Sequence, residues 1–175
     1  MAWTVPATAV PGQLDADFWN EQVRDNLLYT LPGRADDVGQ YPVSTGLNTY
    51  ELRKVSSIST GSGSPVTVPP NTSWTPINVE LTPDTGDTVL VFWASYMIIS
   101  ANHTDAACGV RVNGDDPDDG SALVIDGVDA ANATRHAAMR VVTGLTPGPN
   151  TFSVVGSAGS GSCDFHSVEL IIIPL

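Results

Sequence analysis

Short apolar and β-branched runs alternate with clusters of turn residues from Val55 to the C-terminus. Runs of about four to eight such residues, bounded by Gly, Pro, Asn or Asp, are typical of β-strands. The strand candidates are Ile58, Val66–Val68, Trp74–Leu81, Thr88–Ser100, Ala107–Asn113, Ala122–Ile125, Ala137–Thr143, Thr151–Val155 and Ser167–Ile173. Because these candidates follow one another at short spacing, the pattern predicts a mainly β chain with an antiparallel, jelly-roll-like β-sandwich over residues 55–175.

Two of the predicted strands, Val89–Ile99 and Leu170–Ile173, are largely apolar at both alternating sets of positions. A strand with one solvated face should instead alternate apolar and polar residues. The second apolar face of each strand must therefore pack against another part of the protein, and another copy of the chain is the simplest candidate. The N-terminal segment of the same chain is the alternative. On the first interpretation, the predicted subunit interface consists of Phe92, Tyr96, Ile98, Ile171 and Ile173.

The N-terminal part of the chain follows a different pattern. Residues 1–13 are expected to be extended, and apolar side chains then recur at every fourth position from Trp19 onward. This spacing predicts one short amphipathic helix, which begins after Asp15 as its N-cap and ends at Pro32. Residues 33–54 are expected to form a polar, turn-rich connection to the β-sandwich.

The predicted helix is too short to be stable without packing against something else. We therefore interpret residues 1–54 as an N-terminal arm and helix for anchoring or oligomerisation, separate from the β-sandwich of residues 55–175. The residues expected to make the anchoring contact are Trp3, Phe18, Trp19, Val23, Leu27 and Leu28.

Composition mainly excludes classes of partner. The chain has 7 Lys and Arg residues against 19 Asp and Glu residues, for a net charge of −12. Such a surface repels phosphate backbones and anionic headgroups, which argues against nucleic-acid and membrane partners. The opening residues Met1–Pro6 lack the basic and apolar segments of a secretory signal, so none is expected. On that basis Cys108 and Cys163 are predicted to be reduced, buried thiols, with a disulfide between them as the alternative.

Few residues of the sequence are candidates for catalysis or metal binding. The histidines His103, His136 and His166 lack the spacing of metal-ligand or nucleophile motifs, so the sequence predicts neither an enzyme nor a bound cofactor. An acidic turn is the best candidate ion site, because carboxylates are among the oxygen ligands that calcium prefers. A solvated hairpin loop is the alternative. The carboxylates of this candidate calcium site are Asp115, Asp116, Asp118 and Asp119.

The opening residues Trp3-Thr4 and the segment Trp19–Leu27 resemble the N-terminus of tailed-bacteriophage virion proteins. The β-rich part resembles small phage fibre and decoration domains in its apolar strand Val89–Ser100 and its turn Gly144–Gly148. The resemblance implies a trimeric jelly roll related in shape to the tumour-necrosis-factor and C1q heads. Long fibres carry a collagen-like or coiled-coil shaft, and its absence from this sequence favours a short protein on a virion surface.

The expectation is therefore a non-enzymatic structural protein of a tailed-phage virion, assembled in the host cytoplasm. Its N-terminal segment would bind capsid or tail proteins, and its trimeric β-sandwich would decorate or stabilise the particle. The alternative is a receptor- or glycan-binding module of a tail fibre, with aromatic side chains in the loops Asn102–Asp105 or Ala130–His136. A carbohydrate platform would need exposed aromatic residues, although strand spacing favours the core for them. These aromatic residues are Trp74, Phe92, Trp93 and Tyr96.

Overall fold

The computed structural model describes residues 38–46, 49–60, 65–100, 104–118, 123–128 and 133–175. By its internal contacts the chain divides into two units, Met1–Arg53 and Lys54–Leu175. The predicted arm and helix, with all six predicted anchoring residues, lie outside the described residues. All regular secondary structure in the described part of the chain is β-strand.

The described residues of the first unit contain two paired strands, β1 (Gln40–Gly46) and β2 (Thr49–Lys54). The expectation of a turn-rich connection over residues 33–54 is therefore wrong for this stretch. Tyr41 and Val43 are partly buried and alternate with exposed neighbours, as β-branched and aromatic residues do in a strand. The intervening Gln, Pro and Ser residues obscured this alternation in the sequence.

Every strand candidate of the sequence is confirmed in the second unit, which contains the remaining strands. They are β3 (Ser56–Ser59), β4 (Val66–Val68), β5 (Thr72–Leu81), β6 (Asp84–Thr85), β7 (Thr88–Ile99), β8 (Thr104–Val112), β9 (Leu123–Val128), β10 (Ala133–Thr143), β11 (Gly148–Pro149), β12 (Phe152–Ala158) and β13 (Cys163–Pro174). The two-residue strands β6 and β11 pair only with each other, and they lie in segments that the sequence pattern assigns to turns.

The main strands form two antiparallel sheets. The first sheet has the order β10-β7-β13-β3, with β4 also paired to β13, and the second has the order β5-β12-β8-β9. The chain crosses between the sheets after β4, β5, β7, β9, β10 and β12, so that most neighbours within a sheet are distant in sequence. This arrangement is a jelly roll, and it confirms the predicted fold class.

The hydrophobic core lies between the two sheets. Along β7 the buried and half-buried positions alternate without interruption, so that one face of the strand, including Val91 and Met97, points into the core. Strand β12 of the second sheet contributes the fully buried Phe152 and Val154. We call the core-facing side of the first sheet its inner face and the opposite side its outer face.

At Gly156 of β12 a core side chain of the opposite sheet comes close to the backbone. A Cβ atom at this residue would lie 2.6 Å from Cζ of Phe165 on β13 and 3.0 Å from Cδ1 of Ile77 on β5. Phe165 is 1% exposed, so its ring has little space into which it can retreat. The absence of a side chain at Gly156 therefore allows the Phe165 ring to fill the centre of the core.

The buried side-chain amide of Asn150 joins neighbouring segments at one corner of the sandwich through hydrogen bonds. The side chain of Asn150, which is 2% exposed, donates hydrogen bonds to Oγ1 of Thr85 at 2.7 Å and to the carbonyl oxygen of Thr146 at 2.8 Å. Its Oδ1 accepts a hydrogen bond from Nδ2 of Asn113 at 2.8 Å. Asn113 and Gly114 have φ angles of 51° and 95°, which Asn and Gly adopt most readily, so the turn after β8 is held at this corner.

Both cysteines belong to the core. Cys108 on β8 and Cys163 on β13 are free thiols and are fully buried. Burial raises the pKa of Cys108 from 9.0 to about 12, with a smaller contribution from the neighbouring Cys163 thiol. Burial likewise raises the pKa of Cys163 to about 12, with a smaller contribution from the Asp164 carboxylate. Both thiols are therefore neutral in the folded protein at neutral pH.

The close approach at Gly156 generates a first prediction. Gly156→Ala places a methyl group against the Phe165 ring, and overpacking of this kind costs about 1–3 kcal/mol of unfolding free energy. Urea denaturation of the variant measures this loss. The control is Ser157→Ala at the next, half-buried position, where we expect a change within about 0.5 kcal/mol. Equal stability of Gly156→Ala and the wild type would contradict the described packing.

The raised thiol pKa values generate a second prediction. A thiol whose pKa is raised on folding stabilises the folded state fully below its unfolded pKa, and this stability is lost as the pH rises from about 9 towards about 12. We expect the unfolding free energy to fall over this range, and Cys108→Ala to show a shallower fall than the wild type. Denaturation at several alkaline pH values measures both slopes. Identical slopes for the two proteins would show that the thiol titrates freely.

Candidate functional site

The outer face of the first sheet carries the predicted subunit interface. Residues that are directly paired across antiparallel strands point to the same face. The register places Met139 of β10, Phe92 of β7 and Ile171 of β13 in one row across the sheet. Val141, Leu90 and Ile173 form the next row on the same face. We call these six residues the apolar half of the outer face.

Side chains in the apolar half are open to solvent in the single chain. Met139 is 61% exposed and Val141 is 53% exposed, whereas the adjoining positions on β7 and β13 are half-buried. The structure thus brings the predicted residues Phe92, Ile171 and Ile173 together, and it adds two residues of β10 that the sequence analysis missed. A large contiguous apolar patch is uncommon on a soluble monomer.

The other half of the outer face is polar. Tyr96 lies between Arg135 of β10 and His166 of β13, and its ring meets the His166 ring edge-on with the centroids 5.6 Å apart. In the next row Ile98 is paired with Asp164, whose carboxylate accepts a hydrogen bond from Oγ1 of Thr67 at 2.5 Å. All five predicted interface residues are therefore on one face, with Tyr96 and Ile98 in its polar half.

Charges on the outer face are separated from one strand to the next. The exposed Arg135 belongs to the edge strand β10, whereas Asp164 and the exposed Glu169 belong to β13 on the far side of β7. A neighbouring copy that placed its β13 near β10 would bring unlike charges together. Opposite charges across an interface mainly set the orientation and the rate of association.

The acidic turn has basic partners within the chain. Nε of Arg111 donates a hydrogen bond to Oδ1 of Asp116 at 2.7 Å, and Nη1 of Arg140 lies 4.0 Å from Oδ1 of Asp118. Asp115 is exposed, and its main chain pairs with Val112 in a short bridge. Asp119 lies outside the described residues. Within the described ranges, no three acidic, His or Cys side chains are grouped closely enough to hold a metal ion.

The aromatic residues do not form one carbohydrate platform. Trp93 is 4% exposed and points into the core, while Phe92 and Tyr96 are on the opposite side of the same strand. Trp74 is on β5 of the second sheet and is partly buried. Of the two loops that the glycan-binding alternative singled out, Thr104 and Asp105 belong to β8 and residues 133–136 belong to β10, and the other residues lie outside the described ranges. In the ranges that are described, no helix has the length and the apolar character needed to cross a bilayer.

Three buried polar atoms stand out on the inner face of the first sheet. In the described part of the chain, the buried side-chain polar atoms without a hydrogen-bond partner are Nε1 of Trp93, Oγ of Ser95 and Nε2 of His136. They belong to the neighbouring strands β7 and β10. A serine in the middle of an otherwise apolar strand was the signal available in the sequence, but only the register shows that it faces a histidine.

Comparison with known proteins supports the fold. The chain is similar to VP2 of infectious bursal disease virus in the crystal structure of a subviral particle, with a TM-score of 0.51 and 8% identity over 75% of this chain and 36% of that chain. The structure of the Gt strain of the same virus gives a TM-score of 0.50 and 9% identity over 78% of this chain and 39% of that chain. The matched region is thus well under half of each capsid chain.

A family 35 carbohydrate-binding module from Clostridium thermocellum is also similar, with a TM-score of 0.39 and 9% identity over 66% of this chain and 97% of that chain. No protein-family model matches the sequence, and no curated protein matches it either. At such low identities the similarity concerns the fold alone. The β-sandwich of this chain therefore has a fold that is also found in viral capsid proteins.

Proposed function

We propose that this chain is a non-enzymatic structural protein on the surface of a virus particle, in which copies associate through the outer face of the first sheet. The apolar half of that face carries the proposal, because its exposed Met139 and Val141 adjoin four further apolar side chains. Burial of such side chains contributes about 1.5–3 kcal/mol each. The fold that the chain shares with infectious bursal disease virus VP2 supports a place in a particle.

The proposed assembly is a closed ring of three copies. Arg135 on one side of the outer face and Asp164 and Glu169 on the other favour a head-to-tail contact, in which β10 of one copy meets β13 of the next. A contact of this kind closes into a ring when the rotation between copies permits it. The trimeric jelly rolls that the sequence resembles support the number three.

The N-terminal segment would attach this ring to the particle. Its proposed contacts are Trp3, Phe18, Trp19, Val23, Leu27 and Leu28, which the sequence pattern places on an extended piece and one face of a helix. The same segment resembles the N-terminus of tailed-phage virion proteins. A tailed phage is therefore the proposed particle, and its capsid or tail the proposed partner.

The acidic composition fits this role. With a net charge of −12, the chain repels nucleic acid and anionic lipid, so its outer surfaces would remain free of such partners during assembly in the host cytoplasm. None of the six residues of the apolar half of the outer face is charged. Association through this face would leave most carboxylates in contact with water, where they keep the particle soluble.

The proposed interface generates a third prediction. Met139→Glu and Val141→Glu each place a carboxylate in the apolar half, where a neighbouring copy would have to desolvate it. Because both side chains are exposed in the single chain, the substitutions should leave the fold intact. We expect the double variant to sediment as a monomer with a wild-type circular dichroism spectrum, at concentrations where the wild type is a trimer.

The matched control is Ser73→Glu, which introduces the same charge at an exposed position on β5 of the second sheet. This variant should remain trimeric. If the double variant and the control associate equally well, the outer face is not the interface.

A separate experiment tests the virion location. Negative-stain images of purified particles that carry a labelled chain should show the label on the particle surface, and an absence of label would contradict the proposed location.

A further inference from the structure

The turn that follows β8 contains Asn113-Gly114, the only place in the sequence where glycine follows asparagine. It is a tight turn, because the backbone N–H groups of Val112 and Asp115 each donate to the other residue's carbonyl oxygen, at 3.1 and 2.9 Å. Asn113 and Gly114 have positive φ angles of 51° and 95°, as both central residues of a type I′ turn do. Both residues are exposed, so the turn presents this dipeptide to water.

An asparagine that precedes glycine can lose its side-chain amide to its own backbone. The Gly114 nitrogen attacks Cγ of Asn113, a new C–N bond forms, and the Cγ–Nδ2 bond breaks. Ammonia leaves with the proton that the Gly114 N–H gives up, and one water molecule then opens the succinimide to an aspartyl or isoaspartyl residue. A side chain would hinder this attack, but at Gly114 a Cβ atom is missing and no heavy atom lies within 4 Å of its position.

In the folded chain the Asn113 side chain is held by the segment that precedes β12. Its Nδ2 donates a hydrogen bond to Oδ1 of Asn150 at 2.8 Å, and its Oδ1 accepts one from the backbone N–H of Thr151 at 2.8 Å. The backbone N–H of Asn113 donates to the carbonyl oxygen of Thr151, also at 2.8 Å. Both polar atoms of the side-chain amide, including the nitrogen that would leave, are therefore engaged.

Ring closure requires this arrangement to change. The five-membered ring places the Gly114 nitrogen beside Cγ, whereas a residue in the left-handed region has ψ near about +47°, which does not bring the two atoms together. Asn113 must therefore rotate, and its contacts with the neighbouring segment oppose the rotation. Asn150 is a firm partner, because it is 2% exposed and its own amide donates to Oγ1 of Thr85 and to the carbonyl oxygen of Thr146.

We propose that Asn113 is a site of spontaneous deamidation, and that its hydrogen bonds with Asn150 and Thr151 slow the reaction in the folded chain. The reaction would alter the corner of the sandwich once it occurs. A carboxylate in place of the amide cannot donate to Oδ1 of Asn150, so a buried acceptor would lose its partner and face a negative charge. An isoaspartyl link would also lengthen the backbone of the tight turn.

Two other asparagines of the chain serve as internal references. Asn71 and Asn78 are exposed and have positive φ angles of 54° and 56°, so they share these two properties with Asn113. They are followed by Thr72 and Val79, whose β-branched side chains crowd the attacking nitrogen. The glycine that follows therefore distinguishes Asn113 from both.

The first measurement compares the full wild-type chain in its folded state with the same chain in urea, at the same alkaline pH and temperature. Trypsin cleaves after Arg111 and releases the peptide that contains Asn113, and mass spectrometry follows the replacement of NH₂ by OH over time. We expect Asn113 to react roughly tenfold faster or more in urea, because two side-chain hydrogen bonds no longer have to break first. Asn71 and Asn78 should react much more slowly than Asn113 in urea.

Asn150→Ala then tests the contact itself in the folded chain. The variant removes the acceptor of the Asn113 amide, so Asn113 should react roughly tenfold faster than in the folded wild type, which corresponds to about 1.4 kcal/mol of activation free energy. The matched control is Thr85→Val, which removes another hydrogen bond of Asn150 but leaves the contacts of Asn113 in place. Urea denaturation of both variants separates the loss of the contact from a general loss of stability.

Three results would overturn the proposal. Equal rates at Asn113 in the folded wild type and in urea would show that the contacts do not slow the reaction. An unreacted Asn113 in urea would show that it is not a deamidation site. Equal acceleration in Asn150→Ala and in an equally stable Thr85→Val would show that the rate follows overall stability. If Asn150→Ala does not fold, the wild-type comparison decides alone, and none of these results depends on the outer face of the first sheet.

Discussion

The architecture depends on burying the inner faces of the two central strands of the first sheet, which are apolar on their outer faces as well. Strand β7 presents Val91 and Met97 to the core on one face and Phe92 on the other, and β13 presents Leu170 and Ile172 inward but Ile171 outward. The second sheet covers only the inner face. Because apolar area in contact with water is destabilising, the outer face constrains what the protein can do as a single chain.

The inner and outer faces of the first sheet differ in what packs against them. Packing between the sheets is tight, since Phe165 fills the space that Gly156 leaves open, and this fixes the spacing of the sandwich. The outer face has no such partner within the second unit at Met139 and Val141, which are more than half exposed. A rigid sandwich with one open apolar face is suited to repeated, identical contacts, as the shell or the decoration of a particle requires.

Much of the fold follows from the sequence pattern. The nine strand candidates and the jelly-roll class are confirmed, because alternation and turn residues carry a strong local signal. The pairing of β1 with β2 was missed, since polar residues and Pro42 interrupt the alternation in β1. The pair of β6 and β11 was missed because each strand has only two residues, within segments rich in Pro and Gly.

Only part of the candidate site could be predicted from the sequence, and the reason is physical. Phe92 and Ile171 belong to strands that are apolar on both faces, which a single sequence reveals. Met139 and Val141 are on β10, where Arg and His residues interrupt the apolar positions, so their place beside Phe92 depends on strand register. The pairing of Ser95 with His136 depends on register as well. Register is set by long-range contacts, which cannot be predicted from any local stretch of sequence.

If the outer face of the first sheet needs a neighbouring copy, the mass of the unmodified protein in solution must be that of an oligomer. Sedimentation equilibrium over a range of concentrations measures this mass without any variant or label. We expect a species of three times the 18.3 kDa chain mass. A well-folded monomer that persists at high concentration would contradict it, because the outer face would then be covered by the chain itself or would tolerate water.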